Sequence, residues 1–88
     1  MFTAEVTVRN KVGLHARPAA LFVSEAKKHE CKIRVSANGR TADAKSILAV
    51  LALGVQCGQT ITITTEGEGD EEALRSLVAL FENFPENG

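Results

Sequence analysis

Cys31-Lys32-Ile33-Arg34-Val35-Ser36-Ala37-Asn38-Gly39-Arg40-Thr41-Ala42-Asp43-Ala44 is the stretch that decides the fold. Cys31, Ile33, Val35 and Ala37 alternate with Lys32, Arg34 and Ser36, the period of two expected of a strand that buries one face. Asn38-Gly39 tolerates positive φ at both positions and so closes a tight hairpin, from which Arg40 to Ala44 returns as a short second strand. N-terminal to the hairpin, Phe2 to Val8 alternates without a break, with Phe2, Ala4, Val6 and Val8 on one face and Thr3, Glu5 and Thr7 on the other. Asn10 to Leu14 reads as a loop, and Ala16 to about Lys28 as a helix. Its apolar stripe is Ala16, Ala19, Ala20, Val23 and Ala26, widened by Phe22. Pro18 is tolerated because it falls in the first turn, where a missing N–H removes no helical bond.

C-terminal to the hairpin, Ser46 can cap a short apolar helix running to Leu53, which Gly54 ends. Thr60 to Thr64 is a fourth strand with Ile61 and Ile63 inward. Gly67 and Gly69 interrupt the chain. Asp70 is then expected to cap a last helix with Glu71 and Glu72 in its first turn, a buried stripe of Leu74, Leu77, Val78, Phe81 and Phe84, and Pro85 at its end. The order is β-α-β-β-α-β-α. Its compact solution is an α+β open-faced two-layer sandwich, with a four-stranded antiparallel sheet and three helices on one face. At 88 residues, 1–88 is expected to form a single domain with one core.

A formal net charge of −1 hides an asymmetry: nine Lys/Arg against four Asp/Glu up to Lys45, then Arg75 alone against seven acids from Ser46 onward. The basic half can steer an acidic partner, but it lacks the Arg and aromatic density of a nucleic-acid binder. A small ligand- or RNA-binding sandwich would want basic and aromatic groups on the open sheet face, where Thr3, Glu5, Thr7, Thr62 and Thr64 stand instead. No apolar run approaches membrane-spanning length, and Met1–Lys11 has no signal-peptide core, so a cytoplasmic protein without membrane insertion is expected. Cys31 and Cys57 lack CxxC spacing, and His15 and His29 are the only imidazoles. Neither a metal site nor a cofactor is expected, and both thiols are expected to be reduced. His29, in Lys27-Lys28-His29-Glu30, reads as a solvated cation at a helix exit.

The chemistry concentrates in Asn10-Lys11-Val12-Gly13-Leu14-His15-Ala16-Arg17-Pro18-Ala19-Ala20. His15 stands at the mouth of a helix, whose open N–H groups and partial positive charge ordinarily attract Asp or Glu. Here the early charge is Arg17, and the next acid is Glu25. A phosphate on or beside His15 would satisfy the N–H groups, the dipole and the guanidinium together. There is no Ser-His-Asp set, no second carboxylate and no P-loop near it, so independent turnover is not expected. Separately, Lys45-Ser46-Ile47-Leu48-Ala49-Val50-Leu51 carries more apolar surface than a short helix on a sheet can hide, which leaves a patch for docking.

Gly13-Leu14-His15-Ala16-Arg17-Pro18-Ala19, Asn38-Gly39, Lys45-Ser46-Ile47-Leu48 and Leu53-Gly54-Val55, in this order and spacing, resemble the HPr family, the histidine-containing phosphocarriers of the bacterial sugar phosphotransferase system. The resemblance spans essentially the whole chain. It implies that His15 accepts a phosphoryl group at Nδ1 from phosphorylated enzyme I and passes it to sugar-specific permease A domains, with Arg17 stabilising the phosphate. Backbone N–H groups of Ala16 and Arg17 would assist. It implies a partner surface of Ala16, Ala20, Ile47, Leu48 and Leu51. It also implies regulation by phosphorylation of Ser46, through an HPr kinase/phosphorylase and a catabolite-control transcription factor. A monomer is expected, since a carrier must free one surface for successive partners. The family leaves two other readings: a mainly regulatory protein-binding module, and a nitrogen-branch paralogue, against which Lys45-Ser46-Ile47-Leu48 favours the carbohydrate branch. Ala49, where many relatives have Gly, and Cys57 are departures that leave His15 and Arg17 untouched.

Overall fold

The computed structural model describes residues 1–84. Its elements are β1 (Phe2–Thr7), α1 (Ala16–Lys27), β2 (Lys32–Ala37), β3 (Arg40–Asp43), α2 (Ile47–Ala52), β4 (Thr60–Glu66) and α3 (Asp70–Glu82), the order expected from the sequence. The four strands form one antiparallel sheet in the order β1-β4-β2-β3. The outer strands of the sheet are thus the chain's first and third, while the two central ones carry the most regular alternation.

Register sorts the side chains. Val35 lies opposite Ile63 and Ala42, and Val6 opposite Ile61, so the inward residues of all four strands share one face. Ile33, Val35, Ile61 and Ile63 are buried there against Phe22, Val23 and Ala26 of α1 and Ala73 and Leu77 of α3. The other face carries hydroxyls that pair across strands, Thr3 with Thr64, Thr7 with Thr60 and Ser36 with Thr41. Asn38 and Gly39 take φ of +54° and +77°, as the hairpin turn requires.

Four local expectations are corrected. Phe2 faces inward by register but stays exposed, because β1 is an edge strand and its first residue meets only Thr65 of β4. The cap of α3 is Gly69, at φ +77°, rather than Asp70. The Asp70 carboxylate instead takes the N–H of Gly67 (3.3 Å) and the Met1 α-ammonium (3.2 Å), tying β1 to the start of α3. In α1 the stripe is rotated: Pro18, Ala19, Phe22, Val23 and Ala26 are buried, while Ala16 and Ala20 are exposed. Phe22 is the large side chain, so it sets the buried meridian and turns the small alanines outward. His29, expected to be solvated, is not. Its side chain is largely buried, with Nε2 3.3 Å from Glu25 Oε2. Pro85, expected to end α3, lies outside the described residues.

Candidate functional site

A loop held tightly on both sides delivers His15. The Asn10 side-chain amide is buried and donates to the Gly13 carbonyl (2.6 Å), while the Gly13 N–H donates to the Asn10 carbonyl (3.0 Å). Gly13 sits at φ +69°, and a β-carbon there would lie 2.8 Å from Cα of Gln56, so only glycine lets the two backbones touch. Leu14 is buried, and its N–H donates to the Val55 carbonyl (3.0 Å). Asn10 opens the stretch singled out from the sequence, but its part in holding the loop comes from the structure. An Asn that opens a Gly-containing loop is the signal that finds it, since its side chain can bond backbone a few residues on.

His15 is the N-cap residue of α1, extended at φ −138° and ψ 159°, exposed, with no side-chain hydrogen bond to the helix. Ser, Thr, Asp or Asn would normally close the open N–H groups there. Imidazole leaves them free. Helix bonds from N–H to the fourth residue back first become available to Ala19, and Pro18 has no N–H, so Ala16 and Arg17 present the open donors. Ala16 takes φ +45°, a left-handed conformation worth roughly 1–3 kcal/mol of strain in a non-glycine residue. No acid stands in the first turn of α1, whereas α3 has Asp70, Glu71 and Glu72 there. Arg17 is exposed and in no ion pair among the described residues. The result is an exposed site with a guanidinium, and no carboxylate, in the first turn. Three clefts open beside Lys32 and Asp43, beside Glu66 and Glu68, and between β1 and Phe81, and His15 lines none of these three. A group that must be handed between proteins is better served by an exposed seat than by an enclosed cavity.

The residues expected to dock partners lie on α2 and in the first turns of α1. α2 runs antiparallel beside α1, with its exit joined to the His15 loop through Leu14 and Val55. Its entry reaches the far end of α1, where Lys45 Nζ donates to the His29 carbonyl (2.6 Å). Ser46 caps α2 as expected, its hydroxyl accepting from the Ala49 N–H (3.3 Å). Only Val50 of α2 is buried. Leu51 is half-buried, Ile47 is exposed, and Leu48 is 78% exposed. Ala16 and Ala20, in the first turns of α1 that follow His15, are exposed as well. Val12 and Leu21, also exposed, lie on the same loop and helix and escaped sequence reasoning because neither falls on a periodic stripe.

Cys31 is buried, Cys57 is exposed, and both are free. No group of three or more His, Cys, Asp or Glu side chains converges as a metal site among the described residues, and no helix there is long and apolar enough to cross a membrane.

A family model described as "PTS HPr component phosphorylation site" matches residues 2–83. The phosphocarrier protein HPr of Pseudomonas aeruginosa is 45% identical over 85 residues, covering 96% of this chain and 94% of that one. The crystal structure of HPr from Bacillus anthracis superposes with a TM-score of 0.86 at 47% identity, over 90% of this chain and 94% of that one. That of Crh from Bacillus subtilis, described as a catabolite repression protein in a swapped dimer, superposes at 0.74 with 39% identity, over 97% and 98%. A loop-held histidine at an acid-free helix mouth and these matches converge: the chain belongs to the HPr family, in which HPr is a phosphocarrier rather than an enzyme.

Proposed function

We propose that this chain carries a phosphoryl group on His15, taking it from phosphorylated enzyme I and giving it to sugar-specific permease A domains. The observation that carries this reading is the N-cap of α1, where an exposed imidazole replaces the usual capping oxygen, no carboxylate stands in the first turn, and Arg17 is in no ion pair among the described residues. Phosphoryl transfer asks for alignment and charge stabilisation more than covalent assistance. A bond from His15 Nδ1 to phosphorus forms as the phosphorus–nitrogen bond of the donor breaks, and the two nitrogens lie in line when the proteins dock. The N–H groups of Ala16 and Arg17 and the guanidinium of Arg17 meet the charge on the equatorial oxygens. Exposure keeps the group transferable.

Docking falls to Ala16, Ala20, Ile47, Leu48 and Leu51. Phosphorylation of Ser46 by an HPr kinase/phosphorylase would set about two negative charges beside that patch and repel an acidic partner. The same phosphoserine is what a catabolite-control transcription factor would read. The chain works as one domain over 1–88, as a monomer in the cytoplasm, and its Lys45-Ser46-Ile47-Leu48 segment favours the carbohydrate over the nitrogen branch. Likeness to Crh supports a second reading, a mainly regulatory module in which His15 is secondary.

Incubation with phosphoenolpyruvate and enzyme I, followed by phosphorus NMR, tests the proposal. An acid-labile, base-stable phosphoryl group is expected on His15 and none on H15A. Absence of label under conditions that label a related carrier overturns the reading. Loss of sugar-linked transfer in H15A with regulation intact separates the carrier role from the regulatory one, and sedimentation measures the oligomeric state.

A further inference from the structure

Little burial holds α2 in place. It has six residues and one buried side chain, Val50, and it presents Leu48 almost wholly to solvent. A helix this short has little stability of its own, so its direction is set by the points at which its ends are tied. Its exit is well secured. Asn38 Nδ2 donates to the Leu53 carbonyl (2.9 Å), Arg40 Nη1 to the Ala52 carbonyl (3.4 Å), and the Leu14 N–H to the Val55 carbonyl (3.0 Å). Its entry is joined to α1 by one side-chain hydrogen bond among the described residues, from Lys45 Nζ to the His29 carbonyl at 2.6 Å.

That bond has good chemical reasons to form. The His29 carbonyl follows the last turn of α1, where the helix carries partial negative charge and open acceptors. Lys45 is half-buried and in no ion pair among the described residues. Its own N–H is fixed by Asp43 Oδ1 (2.9 Å), and the following Ser46 N–H by the Asp43 carbonyl (3.0 Å). The lysine is therefore anchored at its root and tip, between the start of α2 and the end of α1.

We infer that Lys45 is a positioning residue for the docking surface, holding α2 at a set angle to α1 so that Ile47, Leu48 and Leu51 line up with Ala16 and Ala20. α1 has 12 residues, so at 1.5 Å each the Lys45–His29 bond is about 18 Å along the helix from His15. At that distance Lys45 does not touch the phosphoryl group and acts only through the placement of α2. Without the bond, α2 pivots on its secured exit, and the residues displaced most are those at its entry, Ile47 and Leu48.

The inference rests on the carrier reading, and phosphorylation of the unaltered protein by phosphorylated enzyme I is the control that separates the two. Lys45→Met removes charge and donor, Lys45→Gln keeps a shorter donor without charge, and Lys45→Arg keeps both. For Lys45→Met, KM for transfer from enzyme I should rise about fivefold with kcat within about twofold, as for loss of binding geometry rather than of chemistry. Amide shifts should move at Ile47 and Leu48 and not at His15. Lys45→Arg should restore KM, and Lys45→Gln should lie between. A direct charge contact with the partner predicts otherwise, with Gln as poor as Met and the salt dependence of KM flattened in both. That pattern, an unchanged KM in Lys45→Met, or a fall in kcat alone overturns the inference.

Discussion

Two neighbouring apolar residues of α2 should respond in opposite ways to the same truncation. Leu48 is 78% exposed and Val50 is fully buried. Leu48→Ala removes three carbons, worth about 2 kcal/mol at ~0.8 kcal/mol per buried methylene if a partner covers them. Only about a fifth of the side chain is shielded in the free protein, so folding should lose no more than roughly 0.5 kcal/mol. Docking should lose the remainder, and about 1–2 kcal/mol corresponds to a rise of roughly 5- to 30-fold in KM for phosphorylated enzyme I. Val50→Ala deletes two carbons from a closed core and leaves a cavity, so unfolding should become easier by roughly 2–3 kcal/mol. For a chain of this length that is a Tm lower by about 10–20 °C, with KM near that of the parent wherever the protein stays folded. Urea titration and steady-state transfer assays on both variants read the two effects separately. If Leu48→Ala transfers with unaltered KM, or loses as much stability as Val50→Ala, the assignment of this face to docking is wrong.

At Gly13, alanine must adopt φ +69° and place a β-carbon 2.8 Å from Cα of Gln56, backbone that cannot rotate aside. Left-handed strain and overpacking together should destabilise Gly13→Ala by roughly 2–4 kcal/mol and slow phosphorylation of His15, and wild-type urea stability would refute this. Burial works to raise the pKa of Asp70, but the hydrogen bond and charge of the Met1 α-ammonium, with the N–H groups of Gly67 and Glu71, outweigh it and hold the folded value below the ordinary carboxylate range. The stability this supplies is complete above about pH 4 and is lost as pH falls through the depressed folded value. The stability gap between the parent and Asp70→Asn should therefore be widest near neutral pH and close in acid. A gap that widens on acidification would show the opposite sign of shift.

Elements dominated by period were legible in the chain. The hairpin at Asn38-Gly39, the inward residues of β2 and β4, and the Ser46 cap all follow from local rules of alternation, turn geometry and backbone hydrogen bonding. His15 stood out because it occupies the mouth of a helix where a carboxylate or hydroxyl is expected. Asp70 misled because its short acidic side chain suits a cap, yet a lone α-ammonium lay within its reach, an encounter between residues far apart in sequence.

The amino-acid order alone determined which segments are strands and helices, which face of each central strand turns inward, and that an imidazole and a guanidinium share one helix entrance. Folding in three dimensions decided the rest. The bulk of Phe22 rotated α1 so that Ala16 and Ala20 face solvent, β1 at the edge left Phe2 uncovered, and Lys45 found the carbonyl of His29. These outcomes depend on packing volume and on contacts between residues distant along the chain. Local periodicity carries no information about either.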